Sequence, residues 1–91
     1  GFSSMRNEEV VRGFRDGITC HSEHLYSEYN KLYSYSTCIA QKIDGKIWAN
    51  ETKYSATTSR HQSLVRTICN PYKIQCEKIP INTVDLNKYI K

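Results

Sequence analysis

The dipeptide Asp44-Gly45 separates two stretches, 32–43 and 46–54, in which larger and smaller side chains alternate. A two-residue type I′ turn needs positive φ at both central positions, and Asp-Gly accepts that at little cost. The chain is therefore expected to fold back there as an antiparallel hairpin. Such a turn also sets the register. Ile43 faces Lys46, and outward from it Gln41 faces Trp48, Ile39 faces Asn50, Thr37 faces Thr52 and Tyr35 faces Tyr54. These residues, with Tyr33, share one side of the hairpin. Ser34, Ser36, Cys38, Ala40, Ile47, Ala49, Glu51 and Lys53 share the other. The aromatic side is expected to be the core side, because each large buried ring contributes about 1–2 kcal/mol.

The remaining segments are expected to pack around this hairpin. Residues 5–14 read as a short helix with Val10, Val11 and Phe14 on one side. Asn7 is the expected N-cap, Glu8 and Glu9 suit the positive helix end, and Asp16-Gly17 stops it. Residues 18–31 are polar and rich in Tyr and Ser, and read as a loop with room for one short strand. Ser59 and Gln62 stand at capping-box spacing, so a second helix is expected over 59–69, ended by Asn70-Pro71. Its inward stripe is Leu64, Val65 and Ile68, with His61 on the same line. Residues 72–79 alternate as a third strand, and Pro80 puts that strand at an edge. The tail after Asn82 reads as a short docking helix. The fold class is α+β: a small antiparallel sheet (hairpin 32–43/46–54 plus strand 72–79) packed with a helix at 59–69 and short terminal helices.

A chain of 91 residues suits one domain. Residues 1–4, ahead of Met5, read as a cloning remnant, leaving 5–91 as the domain. No run of about 18 apolar residues is present, and no charged-then-apolar leader is seen. The formal net charge is +4, and its placement is uneven. Residues 1–30 hold three basic and five acidic side chains, whereas 53–78 hold Lys53, Arg60, Arg66, Lys73 and Lys78 against Glu77 alone. A localised positive field attracts phosphate backbones or acidic protein surfaces. Cys20, Cys38, Cys69 and Cys76 lack secretory context and close zinc spacing, so buried free thiols are expected ahead of one disulfide or a metal site. Cys20-His21-x-x-His24 is a loose half-site at most. No cofactor is expected.

The stretches Leu32-Tyr33-Ser34-Tyr35-Ser36-Thr37-x-Ile39-Ala40 and Tyr54-Ser55-x-Thr57-Thr58-Ser59-x-His61-Gln62 resemble small phage-encoded domains of unassigned function. These carry an LYSYxTxIA strand and a YSxTTSxHQ helix start. The resemblance covers about residues 32–66. It implies a phage origin and a host-cytoplasmic location, and no reaction.

The densest candidate site is the turn at 57–62. A helix start offers unpaired amides and a positive dipole end. Thr57, Thr58 and Ser59 add hydroxyls, Arg60 adds a bidentate cation, and Lys53 and Arg66 extend the charge. Capping alone would explain one of those hydroxyls well and three poorly. His61 could act as a base or ligand, yet an inward-facing histidine is more often a satisfied core residue. Tyr26 and Tyr29, in the polar segment, are the expected contact aromatics. Tyr33, Tyr35, Tyr54 and Trp48 are expected in the core. Three readings follow in order: a non-enzymatic nucleic-acid binder, an inhibitor that binds an acidic host protein such as a defence or replication enzyme, and a small nuclease using His61. A homodimer through the edge at 72–81 is a further expectation to test.

Overall fold

The structure, a computed structural model, describes residues 6–74 and 78–90. At its centre lies a six-stranded sheet in the spatial order β1 (Cys20–His21), β2 (Leu25–Glu28), β3 (Lys31–Ser34), β4 (Thr37–Ile43), β5 (Lys46–Ala49), β6 (Tyr72–Lys73). The first five strands form an antiparallel meander, and β6 adds parallel to β5. Two helices, α1 (Asn7–Asp16) and α2 (Ala56–Cys69), complete an α+β fold. The expected cloning remnant at residues 1–4 and Met5 lie outside the described residues, as does Cys76.

The Asp44-Gly45 turn forms as expected, with φ of 53° and 78°. Ile43 pairs with Lys46 and Gln41 with Trp48. The ladder stops sooner than the alternation suggests. β5 ends at Ala49, and although the Asn50 N–H still donates to the Ile39 carbonyl at 2.8 Å, the expected pairs Thr37–Thr52 and Tyr35–Tyr54 are absent from the ladder. Asn50 turns the chain, its Oδ1 accepting the Thr52 N–H at 3.0 Å.

The long first strand of the expected hairpin is in fact two strands. Tyr35-Ser36 is a tight turn with Tyr35 at φ 58°. Residues 18–31 likewise hold two strands, β1 and β2, where a loop with one short strand was expected. Their alternation is concealed because one inward position is a serine. Ser27 is buried, and its hydroxyl donates to the Ile18 carbonyl at 2.8 Å and accepts the Cys20 N–H at 3.1 Å.

Leu32 pairs with Ala40 but Tyr33 pairs with Cys38, so Ile39 is an extra residue in β4. A bulge of this kind places two successive side chains on one side, and both Ile39 and Ala40 join the helix-side core. That core comprises Val10, Val11, Phe14, Cys20, Leu25, Leu32, Ile39, Ala40, Ala49 and Val65. The opposite side of the sheet is also covered. Tyr33, Cys38, Ile74, Ile79 and Leu86 form a second core, with Tyr26 and Trp48 packed at its margin. The aromatic side is therefore not the one core side: α1 and α2 cover one side of the sheet and the tail covers the other, where Tyr33 and Trp48 lie.

Helix boundaries shift for local reasons. Arg6, not Asn7, is the N-cap of α1, with its N–H donating to Glu9 at 3.3 Å. The Asn7 side chain is engaged elsewhere, accepting the Ser22 hydroxyl at 2.7 Å. Gly17 ends the helix at φ 80°, as expected. For α2, the N-cap is Ser55, whose Oγ accepts the Thr58 N–H at 3.2 Å. Ser59 thus sits inside the helix, and the expected Ser59/Gln62 capping box does not form. Asn70, at φ 47°, closes the helix ahead of Pro71.

The expected antiparallel strand at 72–79 is instead the two-residue parallel strand β6. The strand–helix–strand connection through α2 sets that direction. Residues 75–77 of the expected strand lie outside the described residues. The tail forms only a 3-10 turn at Asn87–Tyr89 but docks firmly. The Cys38 N–H donates to the Thr83 carbonyl at 2.7 Å. Gln41 holds the tail with both ends of its amide, donating to Asp85 at 3.1 Å and accepting the Leu86 N–H at 2.8 Å.

Gly13 packs tightly against β1: a Cβ there would stand 2.2 Å from the Cys20 Sγ. Gly13→Ala should therefore lower Tm, because overpacking costs about 1–3 kcal/mol and outweighs the roughly 1 kcal/mol helix-propensity gain. In a Cys20→Ala background the same substitution should raise Tm. A rise in the single variant, followed by circular dichroism, would refute the close approach.

Candidate nucleic-acid interface

The polar residues at the start of α2 divide into an inward set and an outward set. Thr58 and His61 are 3% and 1% exposed. They belong to a buried chain of hydrogen bonds. Ser55 Oγ donates to Thr58 Oγ1 at 3.1 Å, Thr58 Oγ1 lies 3.2 Å from Ser34 Oγ, and Ser34 Oγ lies 2.7 Å from His61 Nδ1. Gln62 is also buried, its Nε2 donating to the Asn50 and Thr52 carbonyls at 2.6 and 2.9 Å. These groups join α2 to β3 and to the 50–55 segment. The three hydroxyls of the expected anion site are therefore not equivalent: Thr58 is spent inside, while Thr57 and Ser59 are half-buried.

His61 lies against Ser34, the last residue of β3. Burial lowers its pKa, with a further push down from His24. Any reacting group would have to enter a position that is almost wholly closed. Ser34, its partner, is equally buried.

The outward set is basic. Lys53, Arg60, Arg66, Lys73 and Lys78 are all exposed. The structure does not gather them at one point. Arg66 on the last turns of α2 meets Glu51 at 2.8 Å, and Lys73 on β6 approaches the same carboxylate at 4.0 Å. Arg60 lines an open cleft of about 580 Å³ beside Arg6, Glu8, Ser22, Glu23 and Ser63. Its charges there are balanced, so the cleft is not a concentrated anion sink.

Of the expected contact aromatics, Tyr26 is stacked on Tyr33 with centroids 4.8 Å apart and is half-buried. Tyr29 is 79% exposed at the tip of the β2–β3 hairpin, with φ 56°. Tyr35, expected inside, is exposed and stacks on His24 at 4.7 Å. A further group escaped the sequence reading. Parallel pairing of β5 with β6 sets Tyr72 beside Trp48, with centroids 5.2 Å apart, and Lys46 Nζ lies 5.5 Å from the Tyr72 ring centre. The strand–helix–strand order of 46–73 was the signal that could have revealed it.

Cys20, Cys38 and Cys69 are free. Burial pushes Cys38 up to about 12 and raises Cys69, which keeps both protonated and poor as ligands. Among the described residues no group of three or more His, Cys, Asp or Glu side chains converges. No described helix is long and apolar enough to cross a membrane.

The profile of a family of unknown function, DUF8033, matches residues 6–78. The chain belongs to that family. The match takes in both helices and the whole sheet, and stops just before Ile79 and Leu86 of the second core. Both motif stretches fall within it, and their polar residues Ser34, Thr58, His61 and Gln62 are the buried partners described above. No curated protein and no solved structure matches the chain.

Because burial depresses the His61 pKa, the unfolded chain binds its proton more readily than the folded one. The stability owed to the neutral ring is full above the ordinary value of 6.5 and is lost as pH falls from there toward the lowered folded value. Urea midpoints should therefore fall between about pH 7.5 and pH 5.5, by at most about 1.4 kcal/mol per pH unit for this one group. His61→Gln should flatten that dependence. An unchanged slope in the variant would remove His61 as its source.

Proposed function

We propose that this protein is a non-enzymatic, phage-type binding protein that contacts nucleic-acid phosphates through the basic groups of 53–78. One observation carries this reading: all five cations of the stretch 53–78 are exposed, and Glu77 is the one carboxylate in its sequence. Glu51, just outside the stretch, offsets one charge between Arg66 and Lys73. The surplus is a surface field suited to a polyanion. Thr57, Ser59 and Arg60 on the first turns of α2, with Lys53 ahead of its cap, supply donors for phosphate oxygens. The buried state of His61 and Ser34 argues for binding rather than turnover. The phage origin and host-cytoplasmic location rest on the LYSYxTxIA and YSxTTSxHQ stretches.

The test is binding of labelled single- and double-stranded DNA and RNA across a salt series. The logarithm of affinity should fall linearly with the logarithm of salt concentration, because counterions are released. Arg60→Ala and Lys53→Ala should each reduce the slope by about 1. Unchanged slopes would exclude these residues as phosphate contacts. Absence of binding even at low salt would turn the reading toward an acidic host protein, the other partner for such a field.

A further inference from the structure

At the β5–β6 edge, an aromatic ring stands out into solvent on a rigid support. Tyr72 is 54% exposed, whereas its neighbours on both sides are fixed. Asn70 closes α2 two residues earlier. Ile74 is 4% exposed, and its N–H donates to the Ala49 carbonyl at 3.2 Å. The Tyr72 ring leans on Trp48 at 35°, and Trp48 in turn packs against the second core. A ring held this way loses little freedom when something stacks on it.

The charges around the ring are those a polyanion needs. Lys46 lies over Tyr72 from the same side of the sheet, and Lys73 follows it with a side chain 67% exposed. Successive residues of a strand point to opposite sides, so the two lysines flank the edge. The carboxylates close by in the chain are Asp44 in the turn, Glu51, held by Arg66 and Lys73, and Glu77 four residues beyond Lys73. An aromatic platform flanked by cations fits unpaired bases with their backbone alongside. A duplex keeps its base faces stacked inside and offers none for an aromatic ring to stack on.

We infer that the Tyr72–Trp48 edge is a base-stacking site that makes the protein prefer single-stranded over double-stranded nucleic acid. The inference rests on the nucleic-acid reading and adds its ligand class and a second contact region. In the bound state a base lies against Tyr72, and Lys46 moves from the ring to an adjacent phosphate.

The protein has a single tryptophan, so Trp48 emission reports directly on this edge. The experiment is titration of the intact protein with an oligothymidylate of about 20 nucleotides, long enough for one binding domain, and with a duplex of equal length. Single strands should quench Trp48 and bind at least tenfold tighter than duplex. Tyr72→Ala should erase most of that preference, Tyr72→Phe should keep it, and duplex affinity should be unchanged in both. Single-strand binding without Trp48 quenching in the unaltered protein, or unchanged single-strand affinity in a folded Tyr72→Ala variant, would overturn the stacking site and leave phosphate binding standing. Failure of both nucleic acids to bind the unaltered protein would overturn both.

Discussion

The buried carboxamide of Asn50 is the interaction on which the arrangement of layers depends. It is fully enclosed, and an enclosed amide must have all its hydrogen-bonding groups met. Its Nδ2 donates to the Cys38 carbonyl at 3.2 Å and to the Tyr54 hydroxyl at 2.9 Å, and its Oδ1 accepts from Thr52. The Asn50 carbonyl accepts from Gln62. Tyr54 then passes the connection on, donating to the Ile79 carbonyl at 2.5 Å. One residue thus ends β5, directs the chain into α2, locks α2 by its second turn, and reaches the tail on the far side of the sheet. No described buried side-chain polar atom is left without a partner, so polar chemistry, rather than apolar area alone, fixes how the layers meet.

The second constraint is the extra residue in β4. Without it, Ile39 would lie on the tail side and the two cores would exchange a large side chain. With it, the tail side keeps room for Gln41, which grips the tail backbone from a buried position. Burial on that side also pushes the Tyr33 hydroxyl up to about 12, with smaller pushes from Cys38 and Tyr26. A phenol that stays neutral can pack against Leu86 and Ile79 while donating to the Val84 carbonyl at 3.5 Å.

What the sequence disclosed followed the strength of local signals. Asp44-Gly45 has an intrinsic backbone preference, so the turn and the Gln41–Trp48 register were legible from it. Gly17 and Asn70-Pro71 marked helix ends for the same reason. Where local signals were weak the reading failed. Tyr29-Asn30 and Tyr35-Ser36 are not favoured turn pairs, and Ser27 and Ser34 disguise inward positions as polar ones. The α2 cap was misplaced by one turn because Ser55 and Ser59 are equivalent by composition, and only the inward pull on Gln62 and His61 distinguishes them. At the candidate site, exposure of the cations was legible from charge alone. The Lys46–Tyr72 contact was not, since it joins residues brought together only by a parallel strand pairing.

The left-handed turns bear on how the sheet assembles. Left-handed backbone costs an ordinary L-residue about 1–2 kcal/mol, and Tyr29 and Tyr35 both adopt it. Neither of those hairpins is promoted by its own turn. Only Asp44-Gly45 closes on local preference, which makes the β4–β5 pair the natural nucleus. β3 and then β2 are recruited onto a surface already formed, each closing a short loop. The tail must wait, since its bonds to Thr37 and Gln41 join positions 45 residues apart. The expected order of assembly runs outward from one dipeptide, and the side of the sheet that carries Tyr33 and Trp48 is the last to be sealed from water.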